Sequence, residues 1–524
     1  MPRSARHNCI FFSDNTRQVM GSSVTKNLIG ILLLIVLAFA IGVTAADSQK
    51  TAAIIIFAVA GLIGIVAMGK NVWMSLFILI PIGQAMPLFK IPMYFIYVIP
   101  VFLYWCILVI LGHAKFTWRK LLGADLLVFI FLSYMVTVMY RHPALDYVTS
   151  NILNIKTDNL SRHFEYPLCL FVLIFYIALS CIPMEYSKIK KILKWGIIIK
   201  LSLLLLVGYM GLGQESNEAS MLSSTNQGAR VRFGSFVTFA ANLAVFTYSS
   251  ASISQLLTSP VKMACLLLST LLTVISGYRS ALARIAYVIL IITIIKREYL
   301  GIVIATFVAL FTLTFINDPA ILNRLPYTAQ RTLALFPWMN VRSTIQTEAQ
   351  GSSEHRTVLW QWALDPRTGK IKNYIWGDGC VQDTATKSRD SRAMARKDLE
   401  VSHEDLVRWN EWHSGFIAVL KELGIVGLSL TIIVIFYSFL TTCRIASALR
   451  NTSLLKYFLV YTYSFLHIPL TFFILPYSTR NTLLNLANFA ILKLFNDIAI
   501  EKKLVSQHTG KKKYIPLLIQ NSET

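Results

Sequence analysis

Charged residues are scarce in this chain of 524 residues: Asp, Glu, Lys and Arg together make up 14% of it, against 55% hydrophobic residues. About a quarter of the residues in a typical soluble protein are charged, so the composition excludes a chain made of several soluble domains. Acidic residues are the scarcer kind, with 26 Asp and Glu against 49 Lys and Arg and a net charge of +23. In a soluble protein that excess would indicate a nucleic-acid partner, so the positions of the basic residues decide its meaning.

Cysteine and the common catalytic motifs are also rare or missing. Seven cysteines occur, and only Cys380 falls in the one long polar stretch, residues 318–412. No disulfide framework is therefore expected. The sequence has no Walker motif and no G-x-S-x-G elbow, which argues against an ATPase and a serine hydrolase.

Metal-binding side chains show no recognisable spacing. The sequence has no H-E-x-x-H, and the acidic pair Asp398 and Glu400 lies among basic residues. The histidines of the long polar stretch match no compact zinc spacing; they are His355, His403 and His413. We therefore expect no metal ion and no other cofactor.

Apolar runs of about 20 residues, the length that crosses a bilayer as a helix, are abundant. They fill residues 28–212 and recur until residue 499, and they predict an all-α, polytopic membrane protein with about 12–14 transmembrane helices. A tail of residues 1–27 precedes them, and a basic tail of residues 500–524 follows. The polar stretch 318–412 is too short for a separate enzyme domain, so we expect it to form a large loop that contains amphipathic helices.

Basic residues cluster in segments that alternate threading places on one side of the membrane. The two clearest runs are Lys188, Lys190, Lys191 and Lys194, and Lys511, Lys512 and Lys513. Because positively charged loops stay in the cytoplasm, both termini are predicted to be cytoplasmic and the large loop to lie on the outer side. The net charge then reports orientation at an anionic leaflet, and we expect no nucleic-acid partner.

Three arginines lie at the outer ends of predicted spans, although Lys and Arg are usually more frequent on the cytoplasmic side. Arg230 and Arg232 precede one span, and Arg279 lies in the tight turn between two others. A guanidinium matches phosphate oxygens bidentately and keeps its charge at any working pH, so several around one spot would bind a diphosphate without a metal. The alternative is that each arginine contacts its own lipid headgroup or pairs with a loop carboxylate.

Two stretches of the large loop have helical periodicity. Glu354 to Leu364 has apolar residues at helical spacing, carries Arg356 near its start and ends before Asp365-Pro366, which predicts an amphipathic helix lying over the membrane region. The basic stretch 388–412 is predicted to be helical as well, and its charges are explained as a solvated face.

The loop closes with His413 and Ser414, which open the next span, and Gly424 and Gly427 follow in that span. A histidine at a helix N-terminus feels the positive end of the helix dipole, which favours the neutral imidazole that a general base requires. We expect the two glycines to permit close packing on a neighbouring helix, which would fix the position of the histidine. The alternative is a histidine that merely marks the membrane boundary.

The spacing of these residues is similar to that of a known family. His413-Ser414, nine residues, Gly424, two residues and Gly427 fit at every position a motif of the bacterial O-antigen ligase and polymerase superfamily. Further blocks resemble the family in order, over residues 225–440: R-V-R-F-G-S-F-V-T-F-A-A-N-L-A, S-G-Y-R-S-A, and H-R-T-V-L-W-Q-W-A-L followed by I-W-G-D-G. Asp378, between the paired glycines of the last block, departs from the family pattern.

The resemblance implies a metal-independent, inverting glycosyltransferase of the membrane-embedded GT-C class, closest to O-antigen ligase. Residues 225–440, with the loop 318–412, would form its catalytic region, and residues 441–499 its last helices. The protein would lie in the bacterial inner (plasma) membrane among membrane lipids, with its active site facing the periplasm. Its partners would be a glycan linked to undecaprenyl diphosphate as donor, and the lipid A-core or a growing glycan as acceptor.

The resemblance also implies roles for individual residues. Arg232 and Arg279 would hold the diphosphate, with Arg230 competing with Arg232 for one family position. Arg356 would add to that cradle or orient the substrate, and His413 would take the proton of the acceptor hydroxyl, so that His413 and Arg279 are the expected catalytic pair. Ser414, Gly424 and Gly427 complete the structural motif.

Three alternatives stay open at this point. An O-antigen polymerase or a protein O-glycosyltransferase would use the same donor. A flippase or other transporter of lipid-linked sugars is the non-enzyme alternative, and such a protein usually carries ionisable groups along a path through the membrane. The ionisable residues within the predicted spans are scattered among different spans, which does not indicate such a path; they are Lys200, Arg284, His467, Lys493 and Asp497.

Overall fold

The computed structural model describes most of the chain beyond residue 64, with gaps. The described residues are 65–77, 80, 87–88, 91–142, 165–184, 186–211, 234–275, 279–325, 330, 333–334, 336, 338–368, 370–380, 414–474 and 477–510. In these residues the secondary structure is helical, apart from a short antiparallel hairpin in which strand β1 (Pro87–Leu88) pairs with β2 (Ile91–Pro92).

The described part of the first half contains seven helices. They are α1 (Met93–Ile110), α2 (Ala124–Arg141), α3 (Glu165–Cys181), α4 (Tyr186–Gly211), α5 (Gly234–Ser249), α6 (Ile253–Thr258) and α7 (Pro260–Ile275). Those of the second half are α8 (Arg279–Lys296), α9 (Tyr299–Ile316), α10 (Pro319–Leu322), α11 (Ser343–Leu364), α12 (Gly415–Leu449), α13 (Leu455–Tyr461), α14 (Tyr463–Ile474) and α15 (Thr479–Gly510). Two 3-10 turns, Gly69–Asn71 and Pro366–Thr368, complete the described elements.

The chain divides into two compact units. The smaller comprises Met1–Leu76 with Ile99–Lys115, and its described part buries Trp73, Leu76 and Trp105. The larger comprises Phe77–Val98 with Phe116–Thr524. The larger unit contains every described segment of the sequence motifs, so the site is built within it.

Several helices have the length and apolarity of membrane spans. Ala124–Arg141, Gly415–Leu449 and Thr479–Glu501 each satisfy both criteria, and shorter apolar helices cover Tyr97–Ile110, Leu168–Cys181, Phe236–Ser249 and Pro260–Thr273. The all-helical, polytopic class predicted from the sequence is thereby confirmed. The number of spans and their orientation stay predictions.

Large apolar side chains on the outside of the helices fit this class. On α9, Val303, Phe307, Phe311 and Phe315 follow one another at intervals of four and are each at least 63% exposed. An interval of four residues places side chains on one face of a helix. An apolar face of that size is costly in water and favourable against lipid chains.

Three helices of the bundle have directions that can be read from their contacts. Glu165 at the start of α3 interacts electrostatically with Arg480 at the start of α15, while Ser180 near the end of α3 accepts a hydrogen bond from Lys493 of α15 (3.1 Å). These two helices are therefore parallel. Helix α2 is antiparallel to both, because Asp125 in its first turn contacts Lys493. We call the end that holds Asp125, Ser180 and Lys493 the Lys493 end.

An ion-pair network ties the helices together at the Lys493 end. The Lys493 ammonium is fully buried, donates to Asp125 Oδ1 (2.5 Å) and lies 4.3 Å and 4.4 Å from the ring centroids of Trp118 and Tyr176. Tyr176 also donates to Asp125 (2.7 Å). A buried ammonium is tolerated only with such partners, so the position of Lys493 fixes α2 and α3 against α15.

Several ionisable residues of the spans lie next to charged groups from other parts of the chain. Asp497 of α15 forms an ion pair with Arg119 (3.6 Å), about one helical turn from Lys493. Arg284 of α8 lies close enough to His467 of α14 for electrostatic interaction. These residues lie on different helices, as the sequence indicated, and some of them have charged neighbours because segments distant in sequence meet in the bundle.

Breaking the Lys493 network at its exposed member should destabilise the bundle. Asp125→Asn leaves the fully buried ammonium without its counter-charge, so we expect a loss of about 2 kcal/mol, moderated because the Asp125 side chain is 43% exposed. Lys493→Met removes the buried charge as well and should cost less. Thermal unfolding of the purified protein measures both, with Glu501→Gln as control on an exposed residue of α15. A smaller loss for Asp125→Asn than for Lys493→Met would contradict this account.

Candidate active site

The span that the sequence predicts after His413 and Ser414 is not a continuous helix. Helix α12 is interrupted at Gly424, whose backbone has φ 65° and ψ −171°, a conformation that L side chains rarely adopt. The interruption divides α12 into a short first segment that starts after Ser414 and a long second segment that runs to Leu449. Backbone groups on both sides of Gly424 lose their helical partners there.

The large loop supplies the partners that α12 lacks. Its residues 374–379 form four backbone hydrogen bonds with the interruption: Asp378 N–H to Lys421 O (2.7 Å), Gly379 N–H to Glu422 O (3.0 Å), Ile425 N–H to Tyr374 O (2.8 Å) and Val426 N–H to Ile375 O (3.3 Å). An unsatisfied backbone group away from water costs several kcal/mol. The loop is therefore part of the membrane helix's hydrogen bonding, and we call residues 371–380 the docking loop.

Glycines make the contact between the docking loop and α12 possible. A Cβ on Gly424 would lie 2.3 Å from the Ile375 carbonyl oxygen and 2.4 Å from the Gly377 nitrogen, and a Cβ on Gly377 would meet the backbone of Glu422 and Gly424 at 2.5 Å. Gly377 also has a positive φ of 79°. The two backbones approach so closely that neither position accepts a side chain.

Asp378, which departs from the family pattern, shapes the docking loop. Its carboxylate accepts the backbone N–H groups of Lys372 (3.1 Å) and Asn373 (2.9 Å). Asn373 in turn accepts with its side-chain oxygen from the N–H groups of Ile375 and Trp376. An acidic residue at this position closes the turn on itself, a role that sequence reasoning missed although turn-forming Asp and Asn are a recognisable signal.

Helix α2 packs against the same interruption. The Tyr134 hydroxyl donates to the Leu423 carbonyl (2.5 Å), another group that the break at Gly424 leaves without a helical partner. The Tyr134 ring stacks on Trp376 of the docking loop and would lie 2.8 Å from a Cβ on Gly427. Gly427 thus permits the close packing that the sequence indicated, whereas Gly424 serves a left-handed break rather than a helix-helix contact.

A buried carboxylate joins α12 to α15 beside the docking loop. Glu422 is 2% exposed, and its Oε2 accepts the backbone N–H (3.0 Å) and the hydroxyl (2.5 Å) of Thr479, the first residue of α15. Glu165 lies within electrostatic range of both Glu422 and Arg480. A carboxylate at a helix N-terminus satisfies its free N–H groups and favours the positive end of the dipole. This acidic pair and Arg480 were not singled out from the sequence.

Cys380 ends the docking loop and is buried next to these carboxyl groups. Burial, with the nearby charges of Glu422 and Glu165, raises the pKa of the Cys380 thiol well above its usual range. The thiolate is the nucleophilic form of cysteine, so Cys380 acts as an apolar packing residue. Burial also raises the pKa of Tyr374, whose hydroxyl donates to the Ala363 carbonyl at the end of α11 (2.8 Å).

Ser414 begins α12 where the sequence motif predicts a helix start. Its backbone is extended, and its buried hydroxyl donates to the Phe473 carbonyl near the end of α14 (3.4 Å) rather than to its own helix. We call the end of the bundle that holds Ser414, Thr479 and Glu165 the Ser414 end. His413 directly precedes Ser414 and lies outside the described residues, as does the predicted helix at 388–412.

Helices α5 and α8, which follow the arginine motifs, run in the same direction. Ala241 and Ala244 of α5 pack on Ile285 of α8, and farther along both helices the Tyr248 and Thr293 hydroxyls are hydrogen-bonded at 2.6 Å. At a rise of 1.5 Å per residue, Ala241 lies about 10 Å from Gly234 at the start of α5, and Ile285 lies about 9 Å from Arg279 at the start of α8. The two helices therefore start at nearly the same height.

Those starts lie at the Ser414 end. The last turns of α8 and of α12 line one groove, and the Tyr437 hydroxyl of α12 donates to the Leu122 carbonyl (2.5 Å), just before α2 and hence at the Lys493 end. The starts of α5, α8 and α12 consequently share the opposite end. Arg230 and Arg232 lie outside the described residues, and the backbone of Arg279, whose side chain is not described, begins α8.

Arg356 belongs to the loop helix predicted from its periodicity. Helix α11 ends at Leu364 as expected, and it begins earlier than predicted, at Ser343. Leu359 and Ala363 are fully buried on its inner face, and Arg356 is half-buried. The Tyr374 bond to Ala363 joins the end of α11 to the docking loop, about two turns after Arg356.

The described residues contain no group of three or more His, Cys, Asp or Glu side chains that could hold a metal ion. The Asp398 and Glu400 pair and His403 lie outside the described part of the chain. The groups that the structure brings together at the Ser414 end are instead the carboxyl groups of Glu422 and Glu165, the Arg480 guanidinium and the first residues of α12 and α15.

A family model described as O-Antigen ligase matches residues 264–432. The resemblance stated from the motifs is confirmed over these residues, and members of the family are lipid-linked glycan transferases. No curated protein matches the chain. The matched region takes in the positions of Arg279, Arg356, His413, Ser414, Gly424 and Gly427, and it begins after Arg230 and Arg232.

Filling the break in α12 should detach the docking loop. Gly424→Ala forces a Cβ into the Ile375 carbonyl and imposes an unfavourable φ, so we expect a loss of about 3 kcal/mol or more. Thermal unfolding, together with protease sensitivity of the loop, measures it. Ser429→Ala is the matched control, because the exposed Ser429 hydroxyl bonds only to its own helix (2.8 Å), and a loss of similar size there would refute the docking account.

Removing the carboxylate of Glu422 should loosen the start of α15. Glu422→Ala leaves two Thr479 donors without this acceptor, and we expect a loss of about 2 kcal/mol. Glu422→Gln keeps an acceptor oxygen and should restore most of it. Melting temperatures of Glu422→Ala, Thr479→Val and the double variant form a cycle, and strictly additive losses would show that the bond contributes nothing.

Proposed function

We propose that this protein is a glycosyltransferase of the O-antigen ligase type. It moves a glycan from undecaprenyl diphosphate to a hydroxyl of the lipid A-core, at the periplasmic face of the bacterial inner membrane. The observation that carries the proposal is the common end of the motif segments: the starts of α5, α8 and α12 and the docking loop all lie at the Ser414 end. The family match over residues 264–432 supports the reaction class.

The cationic groups of this end have a role in donor binding. Arg279, with Arg230 and Arg232 ahead of α5, is assigned to the two phosphates of the donor, and Arg356 of the loop helix orients the glycan or completes the cradle. Guanidinium groups pair with phosphate oxygens in a fixed, bidentate geometry. Stabilising the charge that develops on the leaving diphosphate is the kind of electrostatic interaction that dominates such catalysis, and no metal or other cofactor enters the proposed reaction.

His413 is the proposed general base. It precedes the N-terminus of the first α12 segment, and the positive end of that helix dipole favours a neutral imidazole. The imidazole takes the proton of the acceptor hydroxyl, the oxygen attacks the anomeric carbon from the face opposite the diphosphate, and the bond from that carbon to the phosphate oxygen breaks. The configuration inverts, the glycosidic bond forms, and undecaprenyl diphosphate leaves with the bonding electrons.

The buried side chains beneath this end hold the base in place. The first α12 segment is tied at its start by Ser414 to α14, at its end by Glu422 to α15, and across the break by the docking loop. A catalytic group must be held within a fraction of an ångström of its working position. These three attachments give the segment carrying the base no free end.

The alternatives use parts of the same geometry. An O-antigen polymerase or a protein O-glycosyltransferase would share the donor site and differ in the acceptor. A transporter of lipid-linked sugars needs ionisable groups accessible along a path, whereas Lys493, Asp125, Arg119 and Asp497 are engaged in ion pairs at the Lys493 end. We therefore favour an enzyme, and within that class the complete histidine motif favours the ligase.

Replacement of the proposed catalytic pair should remove transfer without unfolding the protein. We expect His413→Ala to lower the transfer rate by about 10²- to 10⁴-fold and Arg279→Ala by about 10²- to 10³-fold, with normal membrane insertion. The assay uses purified protein, a lipid-linked glycan and lipid A-core, with and without a chelator of divalent metals. Arg367→Ala, an exposed loop position, is the control. Transfer at the normal rate by either variant would refute the site, and loss with chelator would refute the metal-free mechanism.

The acceptor is identified by deleting the gene and analysing surface polysaccharide. Long chains that remain on the carrier are the result expected for a ligase. Single repeat units on the lipid A-core would indicate a polymerase, and a donor that never reaches the outer side would indicate a transporter.

A further inference from the structure

A groove between α8 and α12 lies far from the proposed active site. It has a volume of about 390 Å³ and is lined by the last turns of both helices and the residue that follows each: Ile291, Ile294, Ile295, Arg297, Phe439, Cys443, Ser447 and Arg450. The lining residues of α8, from Ile291 to Arg297, lie about 18 to 27 Å along the helix axis from Arg279. The groove is therefore separate from the proposed diphosphate site.

The groove is apolar along the helices and cationic at one end. Isoleucine and phenylalanine side chains form its walls, and Arg297 and Arg450, which directly follow α8 and α12, contribute a guanidinium each. Neither guanidinium has a hydrogen-bond or ion-pair partner within the described part of the chain. The two full charges outweigh the half-charges of the two helix C-termini beside them, so the end of the groove attracts an anion.

Arg297 occupies a position that usually belongs to glycine. Its φ is 59°, and the turn has the two bonds of a Schellman motif, Arg297 N–H to Ile294 O (3.0 Å) and Glu298 N–H to Thr293 O (3.1 Å). A side chain in this left-handed conformation costs about 1 kcal/mol relative to glycine. The turn therefore carries a guanidinium where the backbone alone favours Gly.

Apolar side chains at and near the groove are exposed. Ile294, which lines the groove, is 48% exposed, and Phe436 and Leu440, close in sequence to the lining residue Phe439, are 46% and 62% exposed. Side chains of this kind face lipid in a membrane helix. A ligand that enters from this side comes from the bilayer rather than from water, which distinguishes a lipid from a soluble phosphate compound.

We propose that this groove binds an anionic phospholipid. The phosphate of the headgroup lies between Arg297 and Arg450, and an acyl chain lies along Ile291, Ile294 and Phe439. Basic pockets between membrane helices recognise acidic headgroups in this way, and guanidinium groups are suited to phosphate. The lipid site lies at the ends of α8 and α12, whereas the starts of these two helices belong to the proposed active site. The lipid proposal does not depend on the proposed function.

Lipid binding by purified full-length protein tests this proposal. Phosphatidylglycerol or phosphatidylcholine is added in detergent, and binding is measured by native mass spectrometry and by the shift in melting temperature. We expect the wild type to prefer phosphatidylglycerol. The double variant Arg297→Gly Arg450→Gln should bind it about ten- to thirtyfold more weakly, while its melting temperature without lipid stays the same or rises, because glycine suits the turn.

A matched control separates a site from general surface charge. Lys115→Ala Lys120→Ala removes two exposed cations elsewhere and should leave binding unchanged. An equal loss in this control, equal binding of both lipids by the wild type, or the same thermal shift with inorganic phosphate alone would each overturn the proposal.

Discussion

The interrupted helix at Gly424 is the constraint on which the rest of the site depends. A membrane helix that breaks leaves carbonyl and N–H groups without partners, and lipid offers none. Here the docking loop and Tyr134 supply the missing bonds to residues 421–426. A polar loop and a neighbouring helix are thereby held at one place, so the same break that shortens the helix organises the Ser414 end.

The bundle is tied by different interactions at its two ends. At the Lys493 end, side-chain charges form ion pairs and cation-π contacts around one buried ammonium. At the Ser414 end the connections run mainly through backbone groups, with Glu422 joining α12 to α15. The first arrangement holds the helices together at one end, and the second joins the starts of α3, α12 and α15 around Glu422, Glu165 and Arg480. That division fits a site that must receive a charged donor.

Much of this organisation was accessible from the sequence, and some of it was not. Apolar run length predicted the membrane helices, and the Asp365-Pro366 pair marked the end of α11. The glycine spacing in α12 identified the correct residues, but it assigned Gly424 to helix packing. A helix with glycine at two nearby positions has the same hydrophobic pattern whether it continues or breaks, and the break is stable only because a loop distant in sequence satisfies it. Asp378 and Glu422 were missed for the same reason, since their partners Lys372, Asn373 and Thr479 become significant only in the folded chain.

The sequence by itself determined the class of the protein, its abundance of membrane helices and the motif that relates residues 264–432 to a family, because these depend on composition and on spacing within one segment. Only the tertiary structure decided which helix starts share an end, that charged residues read as scattered form ion pairs, and that two arginines converge on one apolar groove. Those facts depend on the direction in which each helix packs against its neighbours, which is set by contacts between segments that are tens to hundreds of residues apart.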